Sequence, residues 1–294
     1  MSKGDSKGLS AVLLGASILG FAAIFVRWSV AGGATVLTTG FYRMLFALPG
    51  TFLLAHRTGD VVGDATGRRW ALIAGALFFG DLWLWHLAMH HTGAANATLL
   101  VGGLSPIWVA LFSFAFLRLR YSWLGWAGQG VGLGGALVLA LAKGARMGDG
   151  QGEIIAVGAS FCYAAFTLAM GRARQRLQAT QTLFWMSLSC LVCFGVVGLA
   201  QGHPFTGYTP AAWGSLIALG LVVQLLAWWL NTWGLGHVDA ALGAIGLQGQ
   251  QVSTIFLAWW LLHEPLKPLG LLGGLGIVLG IIMVAASPKR VAVA

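Results

Sequence analysis

The chain has 294 residues, 58% of them hydrophobic and only 9% charged, with a mean hydropathy of +0.82. This composition lies outside the soluble globular range and leaves no room for a sizeable soluble domain. The formal charge of +9 does not read as a nucleic-acid footprint, because the cations fall in short runs between apolar segments rather than along one exposed face.

A membrane span takes roughly 20 apolar residues, and apolar windows punctuated by Gly, Pro and Arg predict ten of them. They lie near 10–31, 34–56, 70–91, 94–117, 121–142, 151–172, 180–201, 212–233, 239–262 and 267–287. The first follows Lys3 and Lys7 and contains Arg27. It is long enough to span and no cleavage site closes it, so a signal peptide is the weaker reading. The second holds Arg43 near its middle.

The third contains Gly80-Asp81-Leu82-Trp83-Leu84-Trp85-His86, a carboxylate where hydrocarbon is expected. A charged side chain at a bilayer centre costs about 3 kcal/mol on insertion scales, so such a residue faces a bundle interior or a wet cavity. At about 100° per residue, Phe78, Asp81 and Trp85 share one helix face, and Phe79, Trp83, His86 and His90 share another. Either face can line a cavity. Adjacent antiparallel helices bring Asp81 and Arg43 to similar depth, which leaves two readings. One is a carboxylate that binds substrate or a proton, with the planar fork of Arg43 on a substrate carboxylate; the other is a structural ion pair. His86 is a candidate proton shuttle or a hydrogen-bonded packing residue.

Pro106 follows Ser105 in mid-span and frees a backbone carbonyl one turn earlier, a candidate helix break or gate. In the fifth span Gly125, Gly128, Gly132 and Gly135 recur at i, i+3, i+7 and i+10, giving a smooth face suited to close packing. This span and the tenth read as scaffold, with a dimerisation face as the alternative. Cys162, Cys190 and Cys193 all lie in apolar runs and imply neither a disulfide framework nor a metal site. Tyr163, Trp185 and Gln224 fall near mid-depth in the sixth to eighth spans. Trp28, Trp70 and Trp213 suit interfacial belts, whereas Trp83, Trp85 and Trp185 are more central and are expected to line an aromatic pocket or to pack. Gln248, Gln250 and Gln251, with Ser253, make the centre of the ninth span the most polar, which points to cavity lining or to hydrogen bonds between helices.

Cation placement sets the orientation. Lys3, Lys7, Arg57, Arg68, Arg69, Arg118, Arg120, Arg172, Arg174, Arg176, Lys289 and Arg290 fall on one side, against Lys143, Arg146 and Lys267 on the other. This bias predicts both termini in the cytoplasm and an even number of spans. A shift of 145 residues carries Leu124, Gly125, Gly128, Gly135 and Ala140 onto Leu269, Gly270, Gly273, Gly280 and Ala285, and Ala95 onto Ala240. Two five-span halves, 1–147 and 148–294, follow, and because five is odd the second is inverted, a recurring plan of secondary transporters with a midplane site.

The passages His91 to Leu100, Leu104-Ser105-Pro106-Ile107-Trp108-Val109-Ala110-Leu111 and Gly125 to Ala140 together resemble the drug/metabolite transporter superfamily in its EamA-type branch. Phe41-Tyr42-Arg43-Met44-Leu45-Phe46-Ala47 and Leu262-His263-Glu264-Pro265-Leu266 are similar to its second helix and its ninth-to-tenth junction. The resemblance implies an all-α fold of ten transmembrane helices in two inverted halves that exports small metabolites. The many tryptophans make it similar to bacterial inner-membrane exporters of aromatic amino acids. The family's junction acid is present as Glu264, but Leu119 stands at the matching place in the first half, so symmetric gating by that pair is not expected.

The expected protein is thus a multi-pass secondary transporter of the bacterial inner membrane, without cofactor or metal, whose partners are a small-molecule substrate and the lipid bilayer, as a monomer or homodimer. Export of drug-like organic cations is the runner-up, since an aromatic pocket also attracts cations. An intramembrane enzyme is the rival from another class. No Walker motif couples ATP, and Gly103-Leu104-Ser105-Pro106 lacks the final glycine of a rhomboid-like site.

Overall fold

In hydrocarbon every backbone N–H and C=O must be satisfied within the chain, which restricts spanning elements to helices and closed barrels. The computed structural model describes residues 3–92, 97, 100–102, 104–105, 107–109, 111–112, 119–120, 122–142, 150–247, 249–262, 268–287 and 290–291. Its helices fall on the predicted spans. The first span is split into α1 (Lys3–Leu19) and α2 (Phe21–Ala31); α3 (Val36–Thr58) and α4 (Ala65–Thr92) follow. The fourth span is helical wherever it is described between 97 and 112. Then come α5 (Trp123–Ala142), α6 (Gln151–Arg174), α7 (Ala179–Ala200), α8 (Pro210–Ala218), a π-helical stretch (Leu219–Ala227), α9 (Trp228–Leu235), α10 (Ala240–Leu247), α11 (Gly249–Leu262) and α12 (Pro268–Ala286). The π-helical stretch joins α8 to α9 in one continuous rod, Pro210–Leu235.

Local chemistry sets several ends. Thr35 and Thr38 form a capping box at the start of α3, and Gln178 and Gln181 form another at the start of α7. Thr209 caps α8 by accepting from the Ala212 N–H, with Pro210 in the first turn. The split at Gly20 sits where a Cβ would come within 2.9 Å of the Ser253 Cβ, so α1 and α2 cross the ninth span at backbone distance.

One departure from the all-helical expectation is a two-residue antiparallel pair, in which β1 (Leu119–Arg120) faces β2 (Arg290–Val291). It ties the start of α5 to the end of α12, as does the 2.6 Å contact between the Ser122 and Ser287 hydroxyls. These two helices pack antiparallel through glycine. A Cβ on Gly135 would lie 2.5 Å from the Ile277 N, and one on Gly280 would lie 2.7 Å from the Gly132 Cα. The glycine faces therefore meet each other within one chain, as the scaffold reading expected; here they are not free for a second copy. The opposite side of α12 is apolar and open, with Leu271, Leu272, Leu275, Leu279 and Ile282 all more than half exposed. In water such a stripe would aggregate; against acyl chains it is solvated.

The largest core cluster gathers around α3, α4, α6, α7 and the π-helical stretch, with Met44, Phe78, Phe166, Met186, Phe194 and Trp228 almost fully enclosed. Five of the described helical rods, Ser6–Ala31, Ala65–Ala88, Gln151–Arg174, Ala179–Ala200 and Pro210–Leu235, are long and apolar enough to cross a membrane.

The glycine contact gives a test. Gly135→Leu forces side-chain atoms into the backbone of α12 and should abolish a monodisperse peak in detergent gel filtration. Gly134→Ala meets nothing within 4 Å and should elute and melt as wild type. A normally folded Gly135→Leu protein would show that the two helices do not pack this way.

Candidate functional site

Arg43, on α3, and Asp81, on α4, are both buried in the main core, at 8% and 4% exposure, which in a span demands compensation. They lie within electrostatic reach of each other but do not form the ion pair that a purely structural reading requires. Arg43 instead donates through Nε to Gln224 Oε1 at 2.9 Å, and Gln224 donates through Nε2 to Ser187 Oγ at 3.2 Å. Its guanidinium carbon sits 5.6 Å from the centre of the Phe78 ring, a cation–π geometry that suits a weakly hydrated, delocalised charge. Asp81 Oδ1 is buried with no hydrogen-bond partner.

Around these charges stands an aromatic triad. Phe78 stacks on Phe166 at 4.8 Å, and the Trp228 ring meets Phe78 edge-on at 5.1 Å and Phe166 at 5.3 Å. Tyr163, one turn before Phe166 on α6, lies 5.7 Å from it and within electrostatic reach of Asp81. The π-helical stretch carries Gln224 into this group. Wide turns of this kind are rare in regular helices and recur at functional sites.

The two faces of α4 are now distinguished. Phe78 and Asp81 point into the protein. Phe79 meets Phe194 of α7 edge-on at 4.9 Å, and Trp83 stacks on Phe79 from the outer surface. His86 holds its Nδ1 2.5 Å from the Leu82 carbonyl oxygen, within its own helix, and its ring is 4.7 Å from Trp85. The structure brings Arg43, Asp81 and Tyr163 together and sets Phe79, Trp83 and His86 to one side.

Trp185 is a correction. Its expected mid-depth place gives way to one near the start of α7, where Nε1 donates to the Val61 carbonyl at 3.0 Å and the Arg68 guanidinium lies over its ring at 5.5 Å. An indole with one polar edge anchors well where the helix meets polar backbone. Pro106 and Gln248 lie outside the described residues, as does Glu264. Gln251 belongs to α11, and its side chain is outside the description. Ser187, Phe166 and Trp228 were not singled out from sequence. The signal available was a run of large residues facing one way, indistinguishable from ordinary core.

The two ends of the bundle differ. At one, Tyr42 donates to the Phe205 carbonyl at 2.6 Å, and its ring packs on Trp213 at 4.9 Å and Tyr208 at 6.2 Å. That end is closed by aromatic side chains. At the other, a cavity of about 590 Å³ opens, walled by Trp70, Leu77, Phe112, Phe161 and Leu235, with Arg172 and Asp239 at its rim. The Arg172 guanidinium lies 5.5 Å above the Trp70 ring. The cavity runs along α6 past Ala165 and Ala169, which flank Phe166 of the triad.

Three comparisons bear on this arrangement. The model of the EamA-like transporter family matches the chain twice, over residues 6–141 and 150–286. An uncharacterized transporter of Bacillus subtilis (strain 168), YwfM, is 26% identical over 212 residues, which is 70% of each chain. A solved crystal structure superposes with a TM-score of 0.80 over 97% of this chain and 99% of its own, at 18% identity, a likeness of fold.

The Arg43–Gln224–Ser187 chain predicts graded losses. Hydrogen bonds to a charged group contribute about 1.5–3 kcal/mol and neutral ones about 1 kcal/mol, so Gln224→Leu should lower stability in detergent by about 2 kcal/mol and Ser187→Ala by roughly half that. Thermal unfolding reads both. Equal melting of Gln224→Leu and wild type would mean that Arg43 is held by something else.

Proposed function

Because this chain belongs to the EamA-like transporter family, and is thus a multi-pass membrane transporter of small molecules, we propose that it exports amino acids with aromatic or other apolar side chains. Export runs across the bacterial inner membrane by alternating access. Both termini are cytoplasmic, and the halves 1–147 and 148–294 rock about a midplane site built on Asp81, Arg43 and Tyr163. The observation that carries this reading is the buried Asp81 carboxylate, which has an unpartnered oxygen near a buried guanidinium anchored to Gln224 through Nε. Opposite charges held apart in an apolar, aromatic setting complement a zwitterion with a large side chain, whereas a paired Asp–Arg bridge would offer it nothing.

The cavity supports alternating access. It opens at the end where Arg172 lies, the cytoplasmic end by the cation bias, while the aromatic closure at Tyr42 and Phe205 shuts the other. Without an ATP motif the drive is a gradient, and Asp81 is the residue to carry a proton against the substrate. A second reading, export of lipophilic organic cations, is favoured by one observation: an orphan carboxylate beside the ring triad. Arg43 in the same core opposes it by like-charge repulsion.

Counterflow of labelled L-phenylalanine into liposomes preloaded with the unlabelled amino acid tests transport, because an exchanger accumulates label and an enzyme does not. Asp81→Asn should weaken counterflow, since the carboxylate also holds the substrate, and should remove its response to an imposed pH gradient. Were that response unchanged, proton coupling through Asp81 would be wrong. Accumulation of a quaternary ammonium dye in place of phenylalanine would select the second reading.

A further inference from the structure

One turn of α9 carries an unusual set of polar atoms. Trp228 Nε1, Asn231 Nδ2 and Oδ1, and Thr232 Oγ1 are all buried without a hydrogen-bond partner. The residues themselves are at most 2% exposed. Leaving a buried donor or acceptor unmade costs about 1–3 kcal/mol, and few such groups are tolerated in a native fold. Four on a single turn call for an explanation other than packing. Val, Leu and Phe would fill the same space without that cost.

The surroundings indicate what the turn could receive. Trp228 is the indole of the aromatic triad, touching Phe78, and Phe78 precedes Asp81 by three residues on the same inward face of α4. Asp81, with one unpartnered oxygen, follows Phe78 one turn further along α4. Gly15 of α1 backs the turn so closely that a Cβ there would stand 2.5 Å from Asn231 Oδ1. The open cavity reaches Leu235, one turn further along α9, and Ala165 and Ala169 beside Phe166.

The donors are three: an indole N–H, an amide NH2 and a hydroxyl. Their chemistry matches an anionic oxygen pair, and the unpartnered acceptor on α4, Asp81, matches an ammonium group. We propose, resting on the reading of this chain as an amino-acid transporter, that the Trp228–Asn231–Thr232 turn binds the substrate α-carboxylate while Asp81 takes the α-ammonium and the triad flanks the side chain. Arg43 then acts as a positioning residue: bound to Gln224, it holds the π-helical stretch that aims the turn, and it supplies a fixed positive field. The turn makes the site selective for free amino acids over those with a blocked carboxyl. A pocket built to hydrogen-bond a polar group discriminates strongly against ligands that lack it.

The decisive property is that function and stability should move in opposite directions. Asn231→Leu removes an amide that has no partner in the empty protein and keeps its branched shape in a bulkier apolar side chain, so the melting temperature in detergent should be unchanged or higher. Binding of L-phenylalanine, read by the ligand-induced rise in melting temperature or by scintillation proximity, should weaken at least tenfold. The wild-type preference for L-phenylalanine over L-phenylalaninamide should collapse towards unity, while preference over N-acetyl-L-phenylalanine, which reports Asp81, persists. Thr232→Val, isosteric and milder, should lose part of the same preference at wild-type melting temperature.

A lower melting temperature for Asn231→Leu with the carboxylate preference intact would overturn the assignment and make the turn structural. Should Asn231→Leu not fold, Thr232→Val alone decides, and an unchanged preference there overturns the assignment. A wild-type protein that binds phenylalanine and its amide equally would reject this site but not transport. One that binds neither would reject the amino-acid reading itself.

Discussion

Arg43 donates to Gln224 and not to Asp81, and that choice governs the interior. A direct bridge between the two charges would neutralise both and leave a locked helix pair, since a buried bridge is broken only at a cost of several kcal/mol. By binding an amide from the opposite half of the chain, 181 residues away, the guanidinium is anchored through Nε without consuming the carboxylate. The cation–π contact with Phe78 adds to its stabilisation. Asp81 is left buried and available. Ser187, on α7, closes the chain by accepting from Gln224, so α3, α7 and the π-helical stretch are fixed relative to one another around a charge that is not itself fixed.

The same division between held and unheld groups recurs at the ends of the bundle. Backbone and side-chain bonds tie residues 32–42 to 205–213 at the aromatic end, including Thr209 N–H to the Gly32 carbonyl. At the opposite end 58–68 is tied to 176–185 by the Thr58–Thr180 hydroxyl contact, the Trp185–Val61 bond and the Arg176–Asp64 pair at 3.9 Å. The 145-residue shift found in the sequence carries 32–35 onto 177–180 and 58–68 onto 203–213, so each junction joins one loop from each half, and each is the counterpart of the other. They are unequal in chemistry. The aromatic junction relies on apolar area and neutral hydrogen bonds. The other adds to its neutral hydrogen bonds an exposed ion pair, Arg176–Asp64, which contributes little and is screened by salt. A rocking motion that exchanges open and closed ends would thus meet different resistance in its two directions.

Much of this was legible in the sequence because it depends on local, periodic constraints. Span positions follow from the length of hydrocarbon a helix must cross, and the glycine stripes of α5 and α12 announce close approach wherever they meet. The inward direction of Asp81 follows from the cost of exposing a carboxylate to lipid. What was not legible is pairwise. Nothing in the residues near Arg43 names Gln224 as its acceptor, because the partner depends on how α3 crosses a rod from the other half. Trp185 looked central by counting from the span's edge, but the loop at 59–64 folds back over the start of α7 and gives the indole a carbonyl there. Trp83 and Asp81 stand two residues apart on α4 and differ in fate, since Asp81 turns towards α6 and Trp83 to the outside.

The Trp228–Thr232 turn shows why a site of this kind escapes sequence reading and still has a physical signature. An amide in a span has a bland explanation, hydrogen bonding to a neighbouring helix, and Gln224 fulfils it. Asn231 has the same chemistry one heptad later and does not: both its polar atoms are enclosed and unmet. In a protein selected for stability alone, such a residue would be replaced by leucine at a gain. Its presence on the turn that carries the triad's indole, in a core where Asp81 also has an unmet oxygen, argues that the empty protein carries a strain which a bound molecule relieves. A transporter needs that relief to be temporary. If the turn were satisfied within the fold, the substrate would have nothing to displace; if it were satisfied too well by the substrate, release at the far side would be slow. Unpaired groups of moderate cost, spread over donors and one acceptor, lie between those limits.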